Sequence, residues 1–197
     1  MTMKFLDIQD TVLLVIDMQP GFYPPGRRDV DRSALNVVFE NAAWVVEVAR
    51  GLSIPVVVAE EDPEKNGPTH HAIVESLPAS SKIYPKTSFG VAGDPRIMEA
   101  LDSLDRSTTV LVGTETDICV CHSALGLQEA GKRVAVVHDC VYSPKAAHDY
   151  GLQRMQAAGV ELMSAKQLLY DWLPTLGQIR EFRKERPQLS YPTHFSL

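Results

Sequence analysis

The sequence has few cysteines and no long apolar run. Three cysteines occur in 197 residues, and an odd number argues against a framework of disulfide bonds. The longest apolar stretches, such as residues 12–16, have the length of a strand and not of a membrane span. The first residues lack the apolar core of a secretory signal peptide. We therefore expect a protein of the reducing cytoplasm that has no membrane partner.

An excess of basic residues is also missing. The chain has 19 Lys and Arg against 25 Asp and Glu, which leaves a net charge of −6 at pH 7. Nucleic-acid-binding proteins present a basic surface to phosphate, so we expect no nucleic-acid partner. The length favours a single domain over residues 1–197. Its core is expected at about 11–170, and a charged tail, 171–197, is expected to pack on a neighbouring subunit of a homo-oligomer.

Short apolar runs alternate with segments that have helical spacing. This alternation predicts a parallel sheet covered by helices on both faces, with right-handed crossovers. The turn after the first strand has neither a dinucleotide fingerprint nor a P-loop, which argues against a nucleotide-binding fold. Strands are predicted at 11–17, 54–59, within 82–90, and at 108–112, 132–138 and 160–163. Helices are predicted at about 33–50, 72–77, from 94, from 118 to 131, 143–158 and 165–169.

The stretch 108–131 has the pattern of a strand, a tight turn and a helix. Cys119 is expected just inside this helix, with Thr116 or Asp117 as the N-cap. The unpaired N–H groups at a helix start lower the pKa of a thiol and can hold an oxyanion. A cysteine in a helix that covers a sheet is also often an inert buried residue. The stretch alone does not distinguish these two interpretations.

Two further polar residues follow strands. Ligands bind outside the carboxyl ends of the strands in an open parallel sheet. Asp17 ends the first strand and Lys86 follows the third, so both are candidates for a site at this edge. A turn or capping role for Asp17, and a solvated position for Lys86, are the ordinary alternatives.

The loop after the second strand contains potential metal ligands. Asp62, Glu64, His70 and His71 are of suitable types. Adjacent histidines rarely point the same way, however. A solvated loop is therefore the favoured interpretation, and a metal site there is left open.

Asp17, Lys86 and Cys119, taken with their neighbours, resemble the isochorismatase-like cysteine hydrolases. This superfamily includes nicotinamidases and N-carbamoylsarcosine amidase. The resemblance covers about residues 11–170. It is carried by Leu-Leu-Val-Ile-Asp17-Met-Gln, Lys86-Thr-Ser-Phe-Gly and Gly113-Thr-Glu-Thr-Asp-Ile-Cys119-Val.

The resemblance implies a three-layer α/β/α fold with a six-stranded parallel sheet of order 3-2-1-4-5-6, and an Asp-Lys-Cys triad. Cys119 would attack a carbonyl carbon, Asp17 would carry the proton to the leaving amine, and Lys86 would orient Asp17. The backbone N–H groups of Glu115 and Cys119 would form an oxyanion hole beside a cis Thr114–Glu115 peptide. Water would then hydrolyse the thioester, without a metal or other cofactor.

The sequence departs from two groups of relatives. Nicotinamidases carry an Asp-x-His metal motif where this chain has Asp62-Pro-Glu64, which argues against metal binding and nicotinamidase activity. Isochorismatases that cleave a vinyl ether lack the nucleophilic cysteine, so Cys119 favours hydrolysis of a C–N bond.

The functional hypothesis is therefore a hydrolase of a small amide-like substrate. Alternatives are an imide, ureide or carbamoyl substrate, a non-catalytic small-molecule-binding protein with this fold, and a thiol redox protein that pairs Cys119 with Cys121. Four aromatic residues are expected to line the substrate pocket: Phe22, Tyr23, Phe89 and Tyr142.

Overall fold

A computed structural model describes residues 5–192 of the chain. The part of the predicted tail after residue 192, and residues 1–4 of the predicted domain, lie outside the described residues. The described residues form a six-stranded, all-parallel sheet of order β3-β2-β1-β4-β5-β6, which confirms the predicted sheet. Its strands are β1 (Thr11–Ile16), β2 (Val56–Glu61), β3 (Lys82–Lys86), β4 (Thr108–Thr114), β5 (Arg133–Tyr142) and β6 (Glu161–Met163).

Helices cover both faces of the sheet and complete the predicted three layers. On one face lie α1 (Arg32–Gly51), α3 (His71–Ser76), α7 (Ala165–Trp172) and α8 (Leu176–Glu185). On the other lie α4 (Pro95–Asp102), α5 (Cys121–Glu129) and α6 (Ala146–Ala157). A single turn, α2 (Pro63–Asn66), follows β2. No helix within residues 5–192 has both the length and the apolar character needed to cross a membrane.

Burial on both faces explains why β1 is almost wholly apolar. All six residues of β1 are buried. Leu13 and Val15 enter the core beneath α1, whereas Leu14 and Ile16 enter the core beneath α4 and α5. Continuous apolar runs of this kind are typical of parallel strands that have helices on both sides.

The N-cap of α1 lies two residues before the predicted one. Ser33 was expected to cap the helix, but the cap is Asp31, whose carboxylate accepts hydrogen bonds from the N–H groups of Ser33 and Ala34 at 3.0 and 3.1 Å. Both residue types are good N-caps, so local sequence did not separate them.

The start of α6 was also predicted wrongly. Ser143 was expected to cap it, but the helix begins at Ala146. The Ser143 hydroxyl instead donates to Asp117 Oδ1 at 2.6 Å. This long-range contact holds the end of β5 against the segment that carries Cys119, and it takes the hydroxyl away from the helix.

The charged segment near the C-terminus packs on its own chain. It lies outside the core that was expected at about 11–170, but Ile179 and Phe182 of α8 are buried in the cluster beneath α1. The guanidinium of Arg186 donates to the carbonyl of Gly51 at the end of α1. The described part of the tail is thus a helix docked on the domain itself.

Replacing Gly113 with Ala is predicted to destabilise the fold. Gly113 has a φ of 153°, and a Cβ there would lie 2.2 Å from the carbonyl oxygen of Ile16 in the neighbouring strand. We expect a loss of at least about 2 kcal/mol in the free energy of unfolding, measured by urea denaturation. The control is Gly26→Ala, because nothing lies within 4 Å of that position. Equal urea midpoints for the two variants would contradict the prediction.

Candidate active site

The site begins where β1 ends. The N–H group of Asp17 donates to the Ala59 carbonyl of β2 at 2.9 Å, and the residue then leaves the sheet with a φ of 49°. Its side chain is fully buried. One carboxylate oxygen, Oδ2, contacts Lys86, whereas Oδ1 accepts no hydrogen bond from the described residues.

Lys86 reaches Asp17 across the end of β2. Its ammonium donates to Asp17 Oδ2 at 2.7 Å and to the carbonyls of Ser88 and Phe89 at 2.9 and 3.1 Å. These three bonds use all three N–H donors of a lysine. Lys86 is therefore a buried, fully hydrogen-bonded cation and not the solvated residue that was the ordinary alternative.

Glu61 completes the cluster, and sequence analysis passed over it. It is the last residue of β2 and pairs in register with Lys86. Its Oε2 accepts a hydrogen bond from the Cys119 thiol at 3.2 Å and lies 3.7 Å from the Lys86 ammonium. The available signal was strand alternation: Val57, Ala59 and Glu61 share one face of β2, and the first two lie in the same core cluster as Cys119.

Cys119 does not lie in the first turn of an α-helix. Residues Thr116–Val120 form one π-helical turn, and α5 begins only at Cys121. The N–H groups of Ile118 and Val120 both donate to the Glu115 carbonyl, at 3.2 and 3.1 Å. The Glu115 carbonyl therefore accepts both of these hydrogen bonds of the turn. The expected caps, Thr116 and Asp117, lie inside the turn, and its N-cap position is Glu115.

The segment before the turn has the geometry that the resemblance implied. The Thr114–Glu115 peptide is cis. The Glu115 carboxylate lies 2.9 Å from Arg27, which joins the loop after β1 to this segment. The assignment of the Glu115 and Cys119 N–H groups to an oxyanion hole stays a prediction.

Burial sets the protonation of the two central groups. It raises the pKa of Asp17 to about 6, against the opposing charge of Lys86. Burial, together with the nearby Asp17 carboxylate, raises the pKa of the Cys119 thiol well above its ordinary value. The lowered thiol pKa that a helix start favours is not found, because burial and the Asp17 carboxylate outweigh the charge of Lys86.

The four expected pocket aromatics differ in burial, and their contact with a substrate stays a prediction. The rings of Tyr23 and Tyr142 pack edge to face with their centroids 5.6 Å apart, and both side chains are buried in the core beneath α1. The Tyr142 hydroxyl accepts a hydrogen bond from the Asp31 N–H at the start of α1. Phe22 is half-buried beside Tyr23, whereas Phe89 is 56% exposed. Aromatic residues near a site often serve as core, and sequence spacing does not reveal which do.

The loop after β2 does not bring its four potential metal ligands together. Asp62, Glu64, His70 and His71 do not form a ligand cluster within the part of the chain that the structure describes. His70 accepts a hydrogen bond from the Ala72 N–H at 3.3 Å and caps α3.

A set of potential ligand atoms within 4.8 Å of one another does exist at Asp17, Glu61 and Cys119. The ammonium of Lys86 already lies against both carboxylates. A metal ion would therefore have to share this space with a fixed positive charge, and the donor set does not fit one.

A family comparison agrees with this geometry. The model of the isochorismatase domain matches residues 11–167. The chain belongs to the isochorismatase family. Among curated relatives of this isochorismatase-family chain is isochorismatase domain-containing protein 2 of Xenopus laevis. It is 32% identical over 168 residues, which cover 84% of this chain and 77% of the relative.

Solved structures share the fold of this family member at lower identity. The MAR1 ribonuclease of Caenorhabditis elegans superposes with a TM-score of 0.82 at 23% identity, covering 98% of both chains. The Escherichia coli YcaC product, described as an octameric hydrolase of unknown specificity, superposes with a TM-score of 0.80 at 19% identity, covering 96% of this chain and 94% of that one. N-carbamoylsarcosine amidase of Thermoplasma acidophilum superposes with a TM-score of 0.65 at 23% identity, covering 79% of this chain and 96% of that one.

Cys119 is predicted to be the first cysteine alkylated by iodoacetamide at neutral pH. All three cysteines are free thiols, and Cys119 is 5% exposed whereas Cys121 and Cys140 are fully buried. Because the thiol pKa of Cys119 is raised, we expect its rate to climb with pH and to exceed the other two at least about tenfold. Peptide mapping by mass spectrometry measures this. First labelling of Cys121 or Cys140 would contradict it.

Proposed function

We propose that this isochorismatase-family protein is a cysteine hydrolase that cleaves the C–N bond of a small amide-like molecule through a thioester. The observation that carries the proposal is the cluster of Asp17, Lys86 and Cys119, in which ligand atoms of Asp17 and Cys119 lie within 4.8 Å. A nucleophile, an acid–base group and a fixed cation in one buried site are the parts that acyl transfer needs.

Proton transfer follows from the pKa values of the pair. The Cys119 thiol is protonated at neutral pH, so it needs a base at the moment of attack. Asp17 has a pKa raised to about 6, and a base with a pKa near the working pH is effective. Its Oδ1, which no described residue engages, takes the thiol proton while Sγ bonds to the carbonyl carbon.

The remaining steps reuse Asp17 as the proton carrier. Asp17 returns the thiol proton to the departing nitrogen, the C–N bond breaks and the acyl group stays on Cys119 as a thioester. Asp17 then accepts a proton from water, which attacks the thioester carbonyl. The carboxylic acid leaves, and the proton held by Asp17 regenerates the thiol. No oxidant, reductant or metal is needed to balance these steps.

Lys86 keeps Asp17 in a state in which it can accept and donate protons. Its charge opposes the rise in the Asp17 pKa that burial causes. Because all three ammonium donors are engaged, it also fixes the orientation of the carboxylate. Lys86 thus acts through Asp17 and is a positioning residue.

A ureide or carbamoyl compound is the second candidate substrate. The shared fold with a protein described as N-carbamoylsarcosine amidase supports this choice. Its chemistry is the same attack on a carbonyl that carries nitrogen.

We further propose a homo-oligomer in the cytoplasm, supported by the octameric structural neighbour and by three unpaired cysteines.

A substrate panel tests the function. We expect ammonia release from members of a set of primary amides, ureides and carbamoyl compounds, or ring opening of imides. Cys119→Ala, Asp17→Asn and Lys86→Ala should each reduce turnover at least about a hundredfold, because each removes the nucleophile or its proton transfer. The matched control is Cys121→Ala, which removes a thiol outside the cluster. Turnover that survives in Cys119→Ala would refute the proposal.

The pH dependence has a definite sign. Asp17 works as a base when it is deprotonated, so kcat/KM should fall about tenfold per pH unit below its pKa of about 6 and level off above it. The measurement is kcat/KM against pH with the best substrate of the panel, with circular dichroism as a check that the fold persists. An unchanged rate down to pH 5 would contradict the role of Asp17.

A further inference from the structure

Glu61 is the carboxylate of the cluster that a molecule from solution can reach. The side chains of Asp17 and Lys86 are fully inaccessible, whereas that of Glu61 is 19% exposed. Its Oε2 contacts the nucleophile, and no described residue donates a hydrogen bond to Oε1. The partly exposed carboxylate of the cluster therefore lies in contact with the Cys119 thiol.

The backbone of Glu61 is held firmly. The buried amide of Gln19 accepts from the Glu61 N–H at 2.8 Å and donates to the Glu61 carbonyl at 3.1 Å. Asn66 donates to the same carbonyl at 2.9 Å. Strand pairing with Lys86 fixes the other side. These contacts fix the backbone position from which the Glu61 side chain extends towards Cys119.

The charges of the cluster do not cancel. Lys86 is bonded to Asp17 and stands 3.7 Å from Glu61, so one cation faces two carboxylates. Along the Cys119 segment, Asp117 accepts a hydrogen bond from the Ser143 hydroxyl at 2.6 Å, and Glu115 pairs with Arg27 of the loop after β1 at 2.9 Å. With both carboxylates ionised, the cluster carries one net negative charge, and the exposed part of it is Glu61.

We propose that Glu61 determines substrate specificity: its carboxylate accepts a hydrogen bond from an N–H or ammonium group beside the attacked carbonyl and repels molecules that carry a carboxylate there. This inference deepens the proposed function and rests on it for the reaction. The substrate class it assigns is a neutral or cationic amide or ureide with at least one N–H next to the reacting carbon.

The distances suit this role. A carbonyl carbon poised for attack lies about 3–3.5 Å from Sγ, and its nitrogen substituent lies at a similar distance. Glu61 Oε2 is 3.2 Å from the same sulfur. When the Cys119 thiol gives its proton to Asp17 during attack, Glu61 Oε2 no longer accepts a hydrogen bond from the thiol. A substrate N–H then donates to Oε2 in place of the thiol. A substrate carboxylate would leave that oxygen facing a like charge.

Charged thiol reagents test this without a known substrate. Three methanethiosulfonates transfer an aminoethylthio, methylthio or sulfonatoethylthio group to Cys119. The thiol loses its proton to solvent, its sulfur bonds to the reagent sulfur, and methanesulfinate leaves. The measured quantity is the ratio of the rate with the cationic reagent to that with the anionic one. Because the ratio is taken within one variant, a change in the thiol pKa cancels.

Wild-type protein should label faster with the cation, and Glu61→Gln should reduce the ratio about tenfold. Glu64→Gln removes the same charge from the neighbouring helix α2, where the residue is exposed, and should change the ratio less than about twofold. Glu61→Ala supplies a second variant if Glu61→Gln does not fold. An unchanged ratio in the Glu61 variants, or an equal loss in Glu64→Gln, would overturn the proposal.

The two proposals fail separately. If the wild-type protein turns over no amide, ureide or imide, the proposed reaction is wrong, but the reagent ratio still decides whether Glu61 selects by charge. If turnover occurs, kcat/KM for an amine-bearing amide should exceed that for a carboxylate-bearing amide of equal length. Glu61→Gln should then reduce this preference, whereas a merely structural role would lower both rates together.

Discussion

The ion pair between Lys86 and Asp17 is the constraint on which the site depends. It joins the ends of β3 and β1 across β2, the strand that lies between them. Both side chains are removed from water. Isolated charges in such a place are unstable, and losing one partner of a buried pair typically costs about 3–5 kcal/mol. The carboxyl ends of the three strands are therefore tied together by the same contact that orients the acid–base group.

The unequal number of charges gives this pair its chemical consequence. A single ammonium facing two carboxylates leaves the site negative. Burial raises the pKa of Asp17 against the opposing charge of Lys86, and burial together with the Asp17 carboxylate raises the pKa of the Cys119 thiol. A thiol held in its protonated form is protected from adventitious reaction and must be activated at the moment of attack. The division of labour that we propose follows: Asp17 moves the proton inside the site, and Glu61 meets the substrate at its opening.

Local sequence determined much of this molecule. Apolar runs separated by amphipathic segments specify a covered parallel sheet, because strands buried on both faces leave few polar positions. The strand order came from the resemblance. Asp17, Lys86 and Cys119 were recognisable since they follow strands, and the ends of parallel strands meet at one edge. The motifs around them then indicated the family, which the match over residues 11–167 establishes.

Tertiary structure decided the rest, for reasons of distance along the chain. Cys119 contacts Glu61, 58 positions away, so sequence spacing did not point to that carboxylate. Local pattern favoured a low thiol pKa, but burial and the two carboxylates reverse it. Ser143 bonds to Asp117 instead of capping a helix, and Tyr23 and Tyr142 are buried in the core beneath α1. Sequence determines which elements form, whereas packing between distant segments determines which side chains share a site and how strongly their charges act.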